Sequence, residues 1–193
     1  MKTDIKNILI VGVGGQGTLL TSRIIAQVAV QLGFDVKVSE VHGMAQRGGS
    51  VVSQVRYGEK VYSPIIKKGD ADIILAFEKI EAARWLDYLK PEGKIIINDE
   101  KVNPLPVMSG KLKYPDDIVD KIKGVIPDTI EINASDIALK CGNIRTANVV
   151  LVGILTKAMD MPVEEVKKAI KDMVPQKAID VNLLAFQEGL KLV

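Results

Sequence analysis

The sequence predicts an α/β fold: a mostly parallel, Rossmann-like sheet flanked by helices, with a helical C-terminal third. Three observations carry this. An apolar run ends in a glycine turn that opens a helix, further short β-branched runs follow between turn-forming residues, and from Ala134 onward the apolar spacing becomes helical.

Asn7-Ile8-Leu9-Ile10-Val11 is nearly all apolar and stops at Gly12, as a strand covered on both faces does, so a central position is expected. Leu20, Ile24, Val28 and Leu32 then recur every four residues, and Gly33 supplies a stop. Val36, Val38 and Val41 alternate with polar residues, so Asp35 to Val41 is expected to complete a βαβ unit with the first strand. Val51, Val52 and Val55 indicate another strand, with Tyr57 to Val61 expected to turn back as an antiparallel hairpin into a short strand.

Asp72 to Phe77 and Lys94 to Asn98 are two more buried strands, separated by a helical piece over Glu81 to Leu89 that Pro91 and Gly93 are expected to end. Pro104, Pro106, Gly110 and Pro115 mark an irregular connection, and Thr129 to Ile132 is expected to be the last strand. Val150, Leu151, Ile154, Leu155 and Ala158 share one helical face, and Val163, Val166, Ile170 and Met173 another. Pro162 stands at the entrance to the second of these helices, with Glu164 and Glu165 in its first turn. With 193 residues and no repeat, a single domain over 1–193 is expected.

Lys and Arg total 26 against 24 Asp and Glu, a net charge of +2, so nothing draws the whole surface to nucleic acid or an anionic membrane. Aromatic residues are 4%, too few for a platform that stacks single-stranded bases. The N-terminal residues lack the pattern of a secretion signal, and no apolar run has the length of a membrane span, so a cytoplasmic protein is expected. One cysteine, Cys141, and one histidine, His42, exclude a disulfide framework, an iron–sulfur cluster or a tetrahedral zinc site built from this chain alone.

Gly12-Val13-Gly14-Gly15-Gln16-Gly17 matches G-x-G-x-x-G between a strand and a helix. Glycines let a backbone approach a ligand, and a helix start offers free N–H groups, so a phosphate is the natural guest. Glu40, about 20 residues further on, stands near where a ribose-binding acid sits in a nicotinamide-binding fold. The same glycines also serve tight strand-to-helix packing, and an acid at a strand end is often simply solvated.

The second loop, Glu40-Val41-His42-Gly43-Met44-Ala45-Gln46-Arg47-Gly48-Gly49-Ser50, crowds the adenosine position of such a fold with polar groups. Together with GVGGQG it closely resembles the gamma-type domain of the 2-oxoacid:ferredoxin oxidoreductases, and EVHGMAQRGG is most similar to the indolepyruvate branch. Gly142 to Asn148, Val174 to Lys177 and Asn182 to Phe186 also resemble that family, so the likeness spans essentially the whole chain. Gly69-Asp70-Ala71 lacks the third glycine of a thiamine-diphosphate G-D-G motif.

The resemblance implies a two-chain enzyme that oxidatively decarboxylates aryl 2-oxoacids with coenzyme A and passes electrons to ferredoxin. This chain would be the smaller subunit, inactive without a large (alpha) partner that carries the thiamine diphosphate and iron–sulfur clusters. It would bind no cofactor or metal alone, and homodimer formation when isolated is a further expectation. Gly12, Gly14, Gly15, Gln16, Gly17 and Thr18 are expected to form an anion cradle, with Gln46, Arg47, Gly48 and Gly49 supporting an anionic group of coenzyme A or substrate.

His42 is the candidate catalytic residue, as proton donor or substrate contact, with a loop-capping role as its bland alternative. Glu40, Asn143, Arg145 and Asn148 are secondary candidates, the last three also suited to capping and pairing at a helix start. Cys141 reads as a small packed residue. Three other readings stay open: a gamma subunit for another 2-oxoacid, a free-standing NAD-binding Rossmann protein, and a non-enzymatic phosphate-binding module.

Overall fold

The computed structural model describes residues 4–43 and 49–193. Six strands, β1 (Lys6–Val13), β2 (Asp35–His42), β3 (Ser50–Gly58), β4 (Ala71–Ala76), β5 (Leu89–Asn98) and β6 (Thr129–Ile132), form one sheet in the order β2-β3-β1-β4-β5-β6. β1, β4, β5 and β6 are parallel neighbours, whereas β3 runs antiparallel to both β1 and β2, so five of the six strands point one way. As the apolar run predicted, β1 is central; its Ile8, Leu9, Ile10 and Val11 are fully buried.

Alternate residues of β1, β3, β4 and β5 feed two cores. Ile8, Ile10, Val55, Ile73, Leu75 and Ile96 pack against α1 (Thr18–Gln31), α5 (Ala134–Lys140), α6 (Ala147–Ala158), α7 (Val163–Met173) and α8 (Ile179–Leu190). Leu9, Val11, Ile74, Ile95 and Ile97 face the other way, onto α2 (Lys79–Arg84) and α4 (Ile118–Val125). The result is a three-layer, doubly wound arrangement, with Gly33 (φ 83°) ending α1 and the C-terminal third helical as expected. Among the described residues no helix is long and apolar enough to cross a membrane.

Three expectations are corrected. β2 does not complete a βαβ unit against β1, because β3 lies between them. β3 is buried along almost its whole length and takes the interior place, while β2, with Lys37, Ser39 and Glu40, takes the sheet edge. No strand follows β3 in a hairpin: beyond Gly58 the chain is held to β3 by side chains, the Arg56 guanidinium donating to the Ser63 and Ile65 carbonyls and Gln54 Oε1 accepting from Ile66 N–H. Pro91 and Gly93 do not end a helix but lie inside β5, which begins at Leu89 directly after a short 3-10 turn, Leu86–Tyr88. A register shift in the β4–β5 ladder absorbs them, and β6 pairs with β5 only from Ile95, so the N–H that proline lacks is not required there.

The irregular connection contains a single short turn of helix, α3 (Leu105–Met108). Both feet of this loop are pinned to one oxygen of the buried Glu78: Oε1 accepts from Val102 N–H at 3.2 Å and from the Tyr114 hydroxyl at 2.6 Å.

Candidate functional site at the carboxyl ends of the strands

β1 leads to α1 on one face of the sheet and β4 leads to α2 on the other, so the chain diverges between these two neighbours. A crevice at such a divergence, outside the carboxyl ends of the strands, is where α/β folds place ligands. Here the glycine turn forms its floor. Gly17 caps α1 in the left-handed region (φ 90°), and Gly15 has φ 104°. Thr21 N–H makes the first helical bond, to Gly17 O at 3.1 Å, so the N–H groups of Thr18, Leu19 and Leu20 precede the ladder and lack helical acceptors.

Gln16 holds the turn rather than facing a ligand with its side chain. Its Oε1 accepts from Val13 N–H at 2.7 Å and its Nε2 donates to Phe77 O at 3.1 Å, tying β1 to the end of β4. Asn98, at the end of β5, donates to the same Phe77 carbonyl at 3.3 Å and accepts from Ala134 N–H at 2.8 Å. Amide side chains thus stitch together the ends of β1, β4 and β5 and the start of α5.

The two glycine-bearing loops meet at this end. Gly14 N–H donates to Gly49 O at 2.9 Å, and Ser50, just beyond, donates to the buried carboxylate of Glu81 at 2.6 Å. Gln46, Arg47 and Gly48 lie outside the described residues. His42, exposed at the end of β2, lies in register with Val51, which lies in register with Gly12. It lines a hollow of about 580 Å³ with Gly14, Gly15, Gly17, Thr18 and Arg23.

On the other side of the turn lies a cavity of about 700 Å³, lined by Gly15, Gln16, Gly17, Asn98 and Glu100, by the start of α6 and by the segment around Lys177. Asn143 caps the 3-10 turn before α6, accepting from Arg145 N–H at 3.0 Å. Asn148, in the first turn of α6, is 4% exposed and sits so close to Gly17 that an added Cβ there would lie 2.9 Å from its Nδ2. Its amide has no hydrogen-bond partner among the described residues, and the exposed side chains of Arg145 and Lys177 enter no ion pair there. The Glu100 carboxylate in the opposite wall accepts from the Ser135 hydroxyl at 2.6 Å, and against that one acid the free N–H groups, two cations and unpartnered amide suit a phosphorylated or carboxylated ligand.

Glu40 does not stand where a ribose-binding acid would. With β3 interposed it lies two strands from β1, about 10 Å away, and its carboxylate accepts from Ser22 of α1 at 2.9 Å. Cys141 packs against the helical core, and burial raises its thiol pKa, which disfavours the thiolate. The motif reading missed Asn98, Glu78, Glu81 and Lys177. Asn98 carried a usable signal, because it ends a parallel strand on the edge where such sites form.

Residues 7–192 match the family model described as pyruvate ferredoxin/flavodoxin oxidoreductase. The chain belongs to this family. It is 41% identical over 192 residues to indolepyruvate oxidoreductase subunit IorB of Thermococcus kodakarensis, covering 96% of this chain and 94% of that one. To the IorB subunit of Archaeoglobus fulgidus it is 44% identical, covering 95% and 92%. Among solved structures, pyruvate oxidoreductase subunit PORC of Thermotoga maritima has the same fold, with a TM-score of 0.75 at 20% identity over 98% of this chain and 97% of that one. A 2-oxoglutarate:ferredoxin oxidoreductase of Magnetococcus marinus gives 0.75 at 21% identity, covering 99% of this chain and 31% of the longer one. These family matches agree with the likeness carried by GVGGQG and EVHGMAQRGG.

Proposed function

We propose that this chain is the small subunit of a two-chain oxidoreductase that oxidatively decarboxylates aryl 2-oxoacids, indolepyruvate foremost, with coenzyme A as co-substrate and ferredoxin as electron acceptor. The observation that carries this reading is identity of 40% to 44%, over nearly the full length of both chains, to four IorB subunits. Relatives named as subunits of 2-oxoglutarate synthase are 28% identical, so another 2-oxoacid is the second reading.

Thiamine diphosphate and iron–sulfur clusters, held by the large subunit, would supply the decarboxylation and electron transfer. With one cysteine in the sequence, this chain has no thiolate set for a cluster. Its own residues fit an anionic guest instead. The N–H groups of Gly14 and Gln16 are taken by the Gly49 and Val13 carbonyls, so those of Gly15, Gly17 and Thr18 would hold a phosphate or diphosphate of coenzyme A, and the cationic wall of Arg145 and Lys177 would steer it there. Arg47, with Gln46, Gly48 and Gly49, would close over an anionic group from the second loop. His42, at the rim beside Gly14, would contact substrate or move a proton.

The test is co-purification with the candidate large subunit, followed by ferredoxin reduction with indolepyruvate, phenylpyruvate, pyruvate and 2-oxoglutarate. The expected result is activity only with both chains, and the highest kcat/KM for indolepyruvate. Preference for 2-oxoglutarate or pyruvate would favour the second reading, and full activity without this chain would sink both. In the same assay Arg47→Ala is expected to raise KM for an anionic reactant, and unchanged KM for all of them would remove that role. Wild-type turnover across pH in His42→Gln would rule out proton transfer by His42.

A further inference from the structure

The amino-terminal end of the sheet holds another cavity, remote from both glycine turns. It measures about 420 Å³ and opens between the end of α1, the start of β1, the end of β3 and the turn joining α6 to α7. Ala29, Tyr57 and Met161 are buried in its wall, with Phe34 beside them, while Asp4, Lys6 and Asp160 stand exposed at its mouth. Its size is within the range of small-molecule sites, and its plan is theirs: an apolar interior with a few polar groups at one end.

Two polar groups of this cavity, the Tyr57 hydroxyl and the Asp160 carboxylate, make no bond among the described residues. Tyr57 is 9% exposed, its ring 5.5 Å from that of Phe34, and its hydroxyl finds no partner among the described residues while remaining open to space. Burial pushes its pKa up to about 12, so it stays a neutral donor at any physiological pH. Asp160 has φ 50° and is the only non-glycine with positive φ among the described residues. It occupies the position after α6 where Asp160 N–H bonds Lys157 O at 3.2 Å and Met161 N–H bonds Thr156 O at 2.9 Å, a helix ending that favours glycine. The backbone strain is kept, and what an aspartate adds over a glycine is a carboxylate at the mouth of the cavity.

We propose that this cavity binds a free α-amino acid bearing an aryl side chain. The ring enters between Phe34, Tyr57 and the thioethers of Met159 and Met161, partners that favour an aromatic over an aliphatic guest. Asp160 and Asp4 take the ammonium group and Lys6 the carboxylate, and none of these three side chains enters an ion pair among the described residues. An aryl amine would leave Lys6 unanswered, and an aryl acid would meet two carboxylates. The proposal stands independently of the reaction at the other end of the sheet.

Calorimetric titration of the full chain with L-tryptophan and L-phenylalanine tests it, with 2-phenylethylamine, phenylacetate and L-alanine as separate arms. Saturable binding of one aromatic amino acid per chain is expected, with Kd below about 1 mM and each other arm weaker by about tenfold or more. Asp160→Gly is expected to raise the thermal midpoint, by removing the left-handed aspartate, and to weaken binding by about tenfold. Tyr57→Phe is expected to weaken it by a few-fold. No saturable binding, equal binding of L-alanine, or full affinity in Asp160→Gly would each overturn the proposal. Tighter binding of the amine or of the acid would reassign the cavity to that ligand and overturn it equally.

Discussion

The two walls of the cavity beside the glycine turn carry similar polar residues and treat them oppositely. On the β4–β5 side the polar side chains are engaged: Gln16 and Asn98 bond backbone at both ends of their amides, Glu100 accepts from the Ser135 hydroxyl at 2.6 Å, and behind this wall the two oxygens of Glu78 take Val102, Tyr114 and Glu81. On the α6 side, the Asn148 amide and the Arg145 and Lys177 cations are left open among the described residues. Buried polar groups are costly unless paired, so the first wall reads as scaffold and the second as a surface completed by something else.

The sharpest way to break this contrast is to cut the scaffold at its hub. Glu78 is 1% exposed, and Glu78→Ala leaves Val102 N–H, the Tyr114 hydroxyl and Glu81 N–H without their acceptor. Relief of the carboxylate's own desolvation offsets part of the loss, so we expect about 3 kcal/mol of destabilisation by denaturant unfolding. A change below about 0.5 kcal/mol would mean that the loop from Val102 to Tyr114 is held by other contacts.

Gly17→Ala comes next and strikes the seam between the walls. A side chain there meets a φ of 90° and an Asn148 amide 2.9 Å away. We expect about 2 kcal/mol of lost stability from the left-handed backbone and the displaced amide. Gly15→Ala shares the positive φ but meets nothing within 4 Å. The difference between the two variants therefore reports the Asn148 contact alone.

This division also explains what the sequence could and could not disclose. Strand runs such as Ile8 to Val11 and Ile95 to Ile97 announce themselves because burial on both faces demands unbroken apolar residues. The glycine turn was legible because positive φ restricts residue choice. Strand order was not legible: the period of Asp35 to His42 fixes a strand but not its neighbour, and both strands carry three valines. β2 has three charged residues, Asp35, Lys37 and Glu40, where β3 has only Arg56, which suits β2 to the edge. Gln16 entered as a ligand candidate because its motif position says nothing of where its amide points. Glu78 and Glu81 escaped notice because acids near a helix start are ordinary, and only the fold brings Tyr114, Val102 and Ser50 to them.

Tyr114 tests the scaffold wall more gently, through pH. Burial, and then its bond to Glu78, push the hydroxyl well above the usual tyrosine value of 10.0. The unfolded chain would release that proton near the usual value while the folded protein still holds it. The stabilisation is therefore complete below about pH 10 and is lost as pH rises from there toward the folded value. Tyr114→Phe should cost about 1 kcal/mol at pH 8, and the gap to wild type should close as pH rises above about 10. A gap that stays constant through that range would show that the hydroxyl titrates alike in the folded and unfolded chain, so that neither burial nor Glu78 holds its proton.

The smallest effect on stability is expected on the α6 wall, and its smallness is the point. Asn148 is almost wholly enclosed, and its amide goes without a partner among the described residues. Removing an unsatisfied polar group does not cost the fold a hydrogen bond, so Asn148→Ala should change unfolding stability by no more than about 0.5 kcal/mol in either direction. Arg145→Ala should do the same, its guanidinium being exposed and unpaired among the described residues. Both should instead raise KM for coenzyme A in the two-chain assay while leaving unfolding midpoints in place. If Asn148→Ala destabilises by about 2 kcal/mol or more, the amide is bonded within the fold in solution. The two walls would then be alike, and the ligand would have to be sought beside His42 and Arg23.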